Sequence, residues 1–182
     1  MKINFLLLSL AVGAFAIGTN EFSPMGFLPE IANDLSVSIP QAGLLISAYA
    51  VGVMIGAPLM TLWLARFPKK TALILLMAIF TIGNVLATVA PDYMSLMGAR
   101  LITSLKHGAF FGLGSVVAAS VVPKDKQASA VAMMFMGLTI ANIGGVPLAT
   151  WLSQNTSWRM AFAAISILGI MTMLALWKAL PQ

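Results

Sequence analysis

Six apolar stretches, each long enough to cross a bilayer, take up nearly all of this 182-residue chain. They lie near 5–31, 41–64, 71–90, 93–122, 128–152 and 160–180, and about 20 mostly apolar residues suffice for one helical crossing. In lipid the backbone must satisfy its own N–H and C=O groups within each segment, so runs of this kind fold as helices. The expectation is an all-α membrane protein, one domain over 1–182 with six transmembrane helices, and the bilayer is its first partner. Hydrophobic residues make up 60% of the chain and charged residues 8%, against roughly a quarter charged in a soluble domain. The formal charge of +5 is scattered over short breaks and forms no basic stripe, so it points to no nucleic acid. No Cys and a single His, His107, remove disulfide frameworks and His/Cys metal sites.

The first run, with Lys2 ahead of it and Ala14-Phe15-Ala16 within it, has the look of a signal peptide. Cleavage would strand Phe22, Met25, Phe27 and Leu28, so an uncut span is the simpler reading. Cytoplasmic loops accumulate Lys and Arg. If the helices alternate, Lys2, Arg66, Lys69, Lys70, Lys124, Lys126 and Lys178 share one side and Arg159 lies opposite, which puts both termini in the cytoplasm.

Compared with itself at an offset of 89 residues, the chain aligns Gly56-Ala57-Pro58-Leu59-Met60-Thr61 with Gly145-Val146-Pro147-Leu148-Ala149-Thr150. Trp63 and Trp151 follow the two blocks. More weakly, Gly13-Ala14-Phe15 matches Gly108-Ala109-Phe110. Three helices per copy force the second copy to enter the membrane from the opposite side, an inverted 3+3 repeat of the kind that builds transporter halves.

Glu21, Arg100, Lys106 and His107 fall inside these apolar runs, where an ionised group costs about 2.5 to 3.5 kcal/mol near the centre. At about 1.5 Å per residue, Glu21 sits roughly 5 Å and Arg100 about 10 Å outward of the midplane, with Lys106 and His107 near it. On one continuous helix Arg100, Ser104, His107 and Phe111 share a face, while Lys106 points about 120° away. For Arg100 a clamp on backbone carbonyls stands beside a functional role, and for His107 a packed, hydrogen-bonded ring stands beside a relay. A lone membrane carboxylate such as Glu21 points to function. Pro24 cannot bond to the carbonyl of Asn20, so the stretch from Asn20 to Pro24 is expected to interrupt the first helix beside a substrate path. Gly137, Ala141, Asn142, Gly144, Gly145 and Pro147 make the fifth run narrow enough for close packing, or for a gating bend.

Several motifs together resemble the major facilitator superfamily, in its arabinose-efflux-permease-like branch of drug:proton antiporters. They are Phe22-Ser23-Pro24-Met25-Gly26-Phe27-Leu28-Pro29, Arg100 followed by His107-Gly108-Ala109-Phe110-Phe111-Gly112, and Gly144-Gly145-Val146-Pro147-Leu148 leading to Trp158-Arg159. The resemblance implies a cytoplasmic gating loop, of which Arg66, Lys69 and Lys70 remain while Thr61, Ala65 and Pro68 replace a Gly, the Asp and a second Gly. It implies a helix-4 arginine tied to proton coupling, matched by Arg100. Gly137, Ala141 and Gly145, with Pro147 after them, are a softened form of its antiporter motif.

The function so implied is one half, the N-terminal six helices, of a proton-coupled secondary transporter in a bacterial inner membrane. It would export small molecules such as drugs or sugars, with no cofactor beyond the proton gradient. Glu21 would carry the proton, Arg100 would be its leading electrostatic partner, and His107 a relay. Asn20, Pro24, Ser104, Lys106, Phe111 and Asn142 would line the substrate cavity. A second six-helix half, covalent, identical or separate, would close that cavity. The alternative is a non-transporting half that assembles with or regulates other membrane proteins. A membrane enzyme with Ser115 as nucleophile is disfavoured, because His107 lies about 12 Å away along the same helix.

Overall fold

The computed structural model describes residues 5–180, so Lys2 lies outside the described residues. Six helical spans are long and apolar enough to cross a membrane: Phe5–Gly26, Ile39–Leu64, Lys69–Thr88, Tyr93–Ser120, Lys124–Asn155 and Trp158–Ala179. By segment the chain forms α1 (Phe5–Gly26), α2 (Leu28–Asp34), α3 (Ile39–Leu64), α4 (Lys69–Thr88), α5 (Tyr93–Ser104), α6 (His107–Ser120), α7 (Gln127–Ile140), α8 (Val146–Asn155) and α9 (Trp158–Ala179). Several starts are set by polar residues at the water boundary. Ser38 caps Gln41 N at 3.2 Å, Asp92 caps Ser95 N at 2.8 Å and Ser157 caps Arg159 N at 3.0 Å, each satisfying a donor that the first helical turn leaves free.

Three of the six runs are segmented, though the first is not interrupted over the expected stretch from Asn20 to Pro24. The first passes through Pro24 without ending and breaks instead at Phe27, two residues before Pro29, which has no N–H to offer the carbonyl of Met25 and is tolerated in the first turn of a new helix. The fourth turns at Leu105 and Lys106 between α5 and α6. The fifth widens into a π-helical turn over Ala141–Gly145. Pro147 has no N–H to offer the carbonyl of Ile143 and its ring crowds that carbonyl, so the chain accommodates one wide turn just before it.

The packing has the two-fold logic of an inverted repeat. The first span packs on the fifth and sixth, the fourth packs on the second and third, and the third packs on the sixth. Exchanging the two triplets leaves this pattern unchanged. Gly56 and Gly145, which correspond in the sequence repeat, do the same work in each copy. A Cβ on Gly56 would meet Leu105 Cα of the fourth span at 2.7 Å, and one on Gly145 would meet Thr19 Oγ1 and, at 3.1 Å, Phe15 of the first.

Two apolar clusters fill the interior. One gathers Leu10, Ile17, Phe80, Phe110, Met134 and Ile165, the other Phe27, Leu45, Leu96, Trp158 and Phe162. Along the first, second, third and fourth spans the buried polar residues Asn20, Tyr49, Asn84 and Arg100 fall between them, forming a polar layer across the bundle. Leu62, Met94 and Ile143 on the outside are all strongly exposed, as suits helices solvated by hydrocarbon chains.

Candidate functional site

Arg100 lies on α5 with 1% of its surface exposed. Its Nη1 donates to Asn20 O at 3.1 Å and to Asn20 Oδ1 at 3.2 Å. The backbone carbonyl is the one that Pro24 leaves without a helical donor, so the guanidinium occupies the gap that the proline makes. Its central carbon lies 4.3 Å from the Tyr49 ring centroid and 5.9 Å from that of Phe162, a cation stacked on aromatic faces inside the bundle. Asn20, Pro24 and Ser104 are buried, and the Ser104 hydroxyl donates to Leu101 O at 2.7 Å.

Arg100 is not the ion-pair partner of Glu21. Within 4 Å the Glu21 carboxylate meets His107, Oε2 to Nε2 at 3.8 Å, with 26% and 15% of the two side chains exposed. The other imidazole nitrogen, Nδ1, is 3.3 Å from Tyr49 Oη. Lys106 was expected to point away from this face; instead it is fully buried and its Nζ donates to the same Tyr49 Oη at 2.9 Å. The fourth span turns at Leu105 and Lys106 between α5 and α6, and there the consecutive residues Lys106 and His107 converge on one phenol from span two.

Beyond His107 the site becomes aromatic and more open. Phe111 lies 5.1 Å from the imidazole and stacks on Phe135 at 5.1 Å with a 17° tilt, and Phe135 is exposed. Asn142 is also exposed, with its Nδ2 turned back to Leu138 O at 3.1 Å. Among the residues expected to line a cavity, Phe111 and Asn142 reach the surface of this bundle, whereas Asn20, Pro24, Ser104 and Lys106 sit behind it.

The other expected groups lie apart from this cluster. Arg66 stacks over Trp63 and Phe67, Lys69 is exposed, and Lys70 donates to Leu180 O at 2.6 Å, tying the start of the third span to the end of the sixth. Gly137, Ala141 and Gly145 face the first span, where a Cβ on Gly137 would strike Ala11 O, while Pro147 is exposed. Ser115 donates its hydroxyl to Phe111 O on its own helix and makes no contact with His107.

Two features went unread in the sequence. Tyr49 is 2% exposed and stands at the centre of the cluster; its signal is a lone phenol at mid-depth of an apolar run. At the opposite end from Lys70, Arg159 pairs with Asp34 and donates to Ala90 O at 2.9 Å, and Trp158 Nε1 donates to Asp34 at 3.0 Å. The single Arg on the side that also carries Asp34 was the available clue. Hydrogen bonds from Arg159 and Trp158 hold the Asp34 carboxyl below its ordinary range.

Residues 10–182 match the family model of the Major Facilitator Superfamily. The chain belongs to that superfamily. It is 69% identical over 182 residues to the inner membrane transport protein YdhP of Escherichia coli K12, covering all of this chain and 47% of that protein. It is 42% identical to the putative transporter AraJ of the same organism, over 97% of this chain and 45% of AraJ. The chain thus spans about half the length of these relatives. Two superfamily structures share its fold at low identity. A bacterial homologue of the human lysosomal transporter Spinster, inward-facing and unoccupied, superposes with a TM-score of 0.84 at 18% identity, covering 100% of this chain and 44% of that one. The xylose transporter XylE of E. coli, partially occluded and inward-open, gives 0.79 at 18% over 98% and 48%. Superfamily membership and transporter relatives point to transport and not to an enzyme.

Proposed function

We propose that this chain supplies the N-terminal six-helix half of a proton-coupled secondary transporter that exports small molecules across an inner membrane. A second six-helix half closes the cavity that this half lines on one side. The observation that carries the reading is Glu21. Of the five acidic residues it alone is set within the length of a span, since Asp125 stands at the very start of the fifth. Its carboxylate is partly open while the cations behind it, Arg100 and Lys106, are buried. A membrane carboxylate placed between an accessible surface and buried cations suits reversible proton binding. The aromatic pair Phe111 and Phe135 beside it offers a flat apolar face to a substrate.

Substrate candidates come from relatives: a chloramphenicol resistance protein of Streptomyces lividans at 34% identity and a probable sugar efflux transporter of Pasteurella multocida at 31%. The test uses inverted vesicles containing this half joined to a complementary half, an imposed pH gradient, and labelled chloramphenicol and arabinose. Glu21→Gln keeps the size of the side chain and removes its charge. It should abolish the response to the gradient while leaving membrane insertion intact; gradient-driven uptake equal to that of the unsubstituted protein refutes the proton-carrying role.

A further inference from the structure

The groups around Tyr49 form a linear chain. Lys106 Nζ lies 2.9 Å from Tyr49 Oη, that oxygen lies 3.3 Å from His107 Nδ1, and His107 Nε2 lies 3.8 Å from Glu21 Oε2. Exposure rises along it, from 0% at Lys106 and 2% at Tyr49 to 15% and 26% for the His107 and Glu21 side chains. The charged and titratable groups facing it are these four and Arg100, whose guanidinium lies over the phenol ring. The third and sixth spans contribute the rings of Phe80, 5.0 Å from Lys106 Nζ, and Phe162.

An inventory of donors leaves this chain two consistent arrangements. An ammonium only donates, so with Lys106 charged the Tyr49 oxygen accepts from it, and the single phenol hydrogen goes to His107 Nδ1. Nδ1 is then the acceptor, and the imidazole proton sits on Nε2, facing the Glu21 carboxylate. Reversing every donor gives the second arrangement. A protonated Glu21 donates to Nε2, Nδ1–H donates to the phenol oxygen, and the phenol donates to a neutral Lys106 amine. The two differ by one proton moved from Nζ to the carboxylate. Along the way Lys106 N–H, Tyr49 O–H and His107 Nε2–H bonds break, while Tyr49 O–H, His107 Nδ1–H and Glu21 O–H bonds form. Neither tyrosinate nor imidazolium remains at the end.

We infer that Tyr49 is a relay residue that couples the charge states of Lys106 and Glu21, so that one proton is shared between them through Tyr49 and His107. The inference rests on the proton-coupled reading above and adds Tyr49, a group which that reading does not use. The 3.8 Å step between His107 and Glu21 exceeds a hydrogen bond and closes by a small side-chain movement or through one water. Filling that step connects the wire.

His107 is the only histidine, so its imidazole nitrogens give one assignable pair of ¹⁵N signals in this chain. At neutral pH, in bilayers, the expected pattern is a neutral ring with the proton on Nε2 and a hydrogen-bonded Nδ1, and Tyr49→Phe should shift the Nδ1 signal downfield. A charged imidazolium ring, or signals indifferent to Tyr49→Phe, overturns the assignment. In the joined transporter, Tyr49→Phe retains the ring under Arg100 and removes only the hydroxyl. It should reduce gradient-driven accumulation by roughly a hundredfold, the low end for a lost proton-transfer group, while gradient-independent substrate exchange stays near the parent rate. Lys106→Met should do the same, and the double variant should be no worse than the poorer single one. Equal losses in exchange and accumulation, or effects that multiply, sink the relay. Glu21→Gln separates the two ideas: if it leaves gradient coupling intact, the proton-coupled reading has failed, whereas if it abolishes coupling and Tyr49→Phe does not, the relay alone has failed.

Discussion

Gly137 is where the structure permits the sharpest prediction. A methyl group added there would strike Ala11 O, and would also lie 2.8 Å from Ala11 C and 3.0 Å from Phe15 N. All three are backbone atoms of the first span, which cannot rotate aside as the end of a side chain would. Ordinary contact begins near 3.4 Å, so Gly137→Ala must push the first and fifth spans apart by at least roughly 0.6 Å along a contact that depends on close backbone approach. Overpacking of this kind costs about 1 to 3 kcal/mol, and here it exceeds the roughly 0.5 to 1 kcal/mol that alanine gains over glycine within a helix. Gly98, inside α5, has nothing within 4 Å of the same added carbon. Gly98→Ala should therefore retain the propensity gain and stabilise the protein by about 0.5 kcal/mol. Unfolding by denaturing detergent in mixed micelles, followed by circular dichroism, would rank the variants as Gly98→Ala, parent, Gly137→Ala. A Gly137→Ala protein as stable as the parent would show that the two spans do not approach as closely as described.

The remaining predictions concern the two ends of the bundle and its bent fifth span. The depressed Asp34 carboxyl contributes stability that is present above its ordinary value near 4 and is lost as pH falls through its lower folded value. Asp34→Asn should accordingly lower the melting temperature at pH 7 by an amount equivalent to at most about 1 kcal/mol, because the pair with Arg159 is partly exposed, and by progressively less as pH falls below the ordinary carboxylate range; a loss that does not shrink with acid contradicts this. For topology, single cysteines replacing Asp92 and Lys124 in this Cys-free chain should react and stay protected, respectively, when an impermeant thiol reagent meets intact cells. The reverse pattern inverts the orientation. Pro147→Ala restores a backbone donor toward Ile143, so amide exchange over residues 141–147 should slow, and unchanged exchange would show that the wide turn has another cause.

The spans were legible because hydrocarbon demands a long, uninterrupted apolar run, and this chain supplies six. Pro24 and Pro147 were legible as perturbations, although only their surroundings decide whether a helix ends or absorbs them. The chain passes through Pro24 because Arg100 satisfies the freed carbonyl from another span, a partner 80 residues away that no local pattern announces. The turn at Leu105 and Lys106 has neither Gly nor Pro to mark it. It is accompanied by the convergence of Lys106 and His107 on Tyr49, a tertiary contact, and extrapolating one continuous helix through it sent Lys106 the wrong way. That extrapolation put Arg100 and His107 on one face and so did not separate them as neighbours of Glu21, whereas the fold brings His107 to the carboxylate. Depth along a span can be counted from sequence; azimuth cannot be counted across a break.

The contact between Arg100 and Asn20 also bears on how such a chain is made. Translation proceeds at about 5 to 20 residues per second, so the 80 residues separating the two take roughly 4 to 16 s to emerge. Throughout that interval the first span has been synthesised while the guanidinium that will accept responsibility for its open carbonyl does not yet exist. Arg100, for its part, reaches the membrane with a charge that hydrocarbon rejects. Each segment is a poor passenger alone and an acceptable one beside the other, which makes the fourth span's arrival the event that commits the first to its final depth.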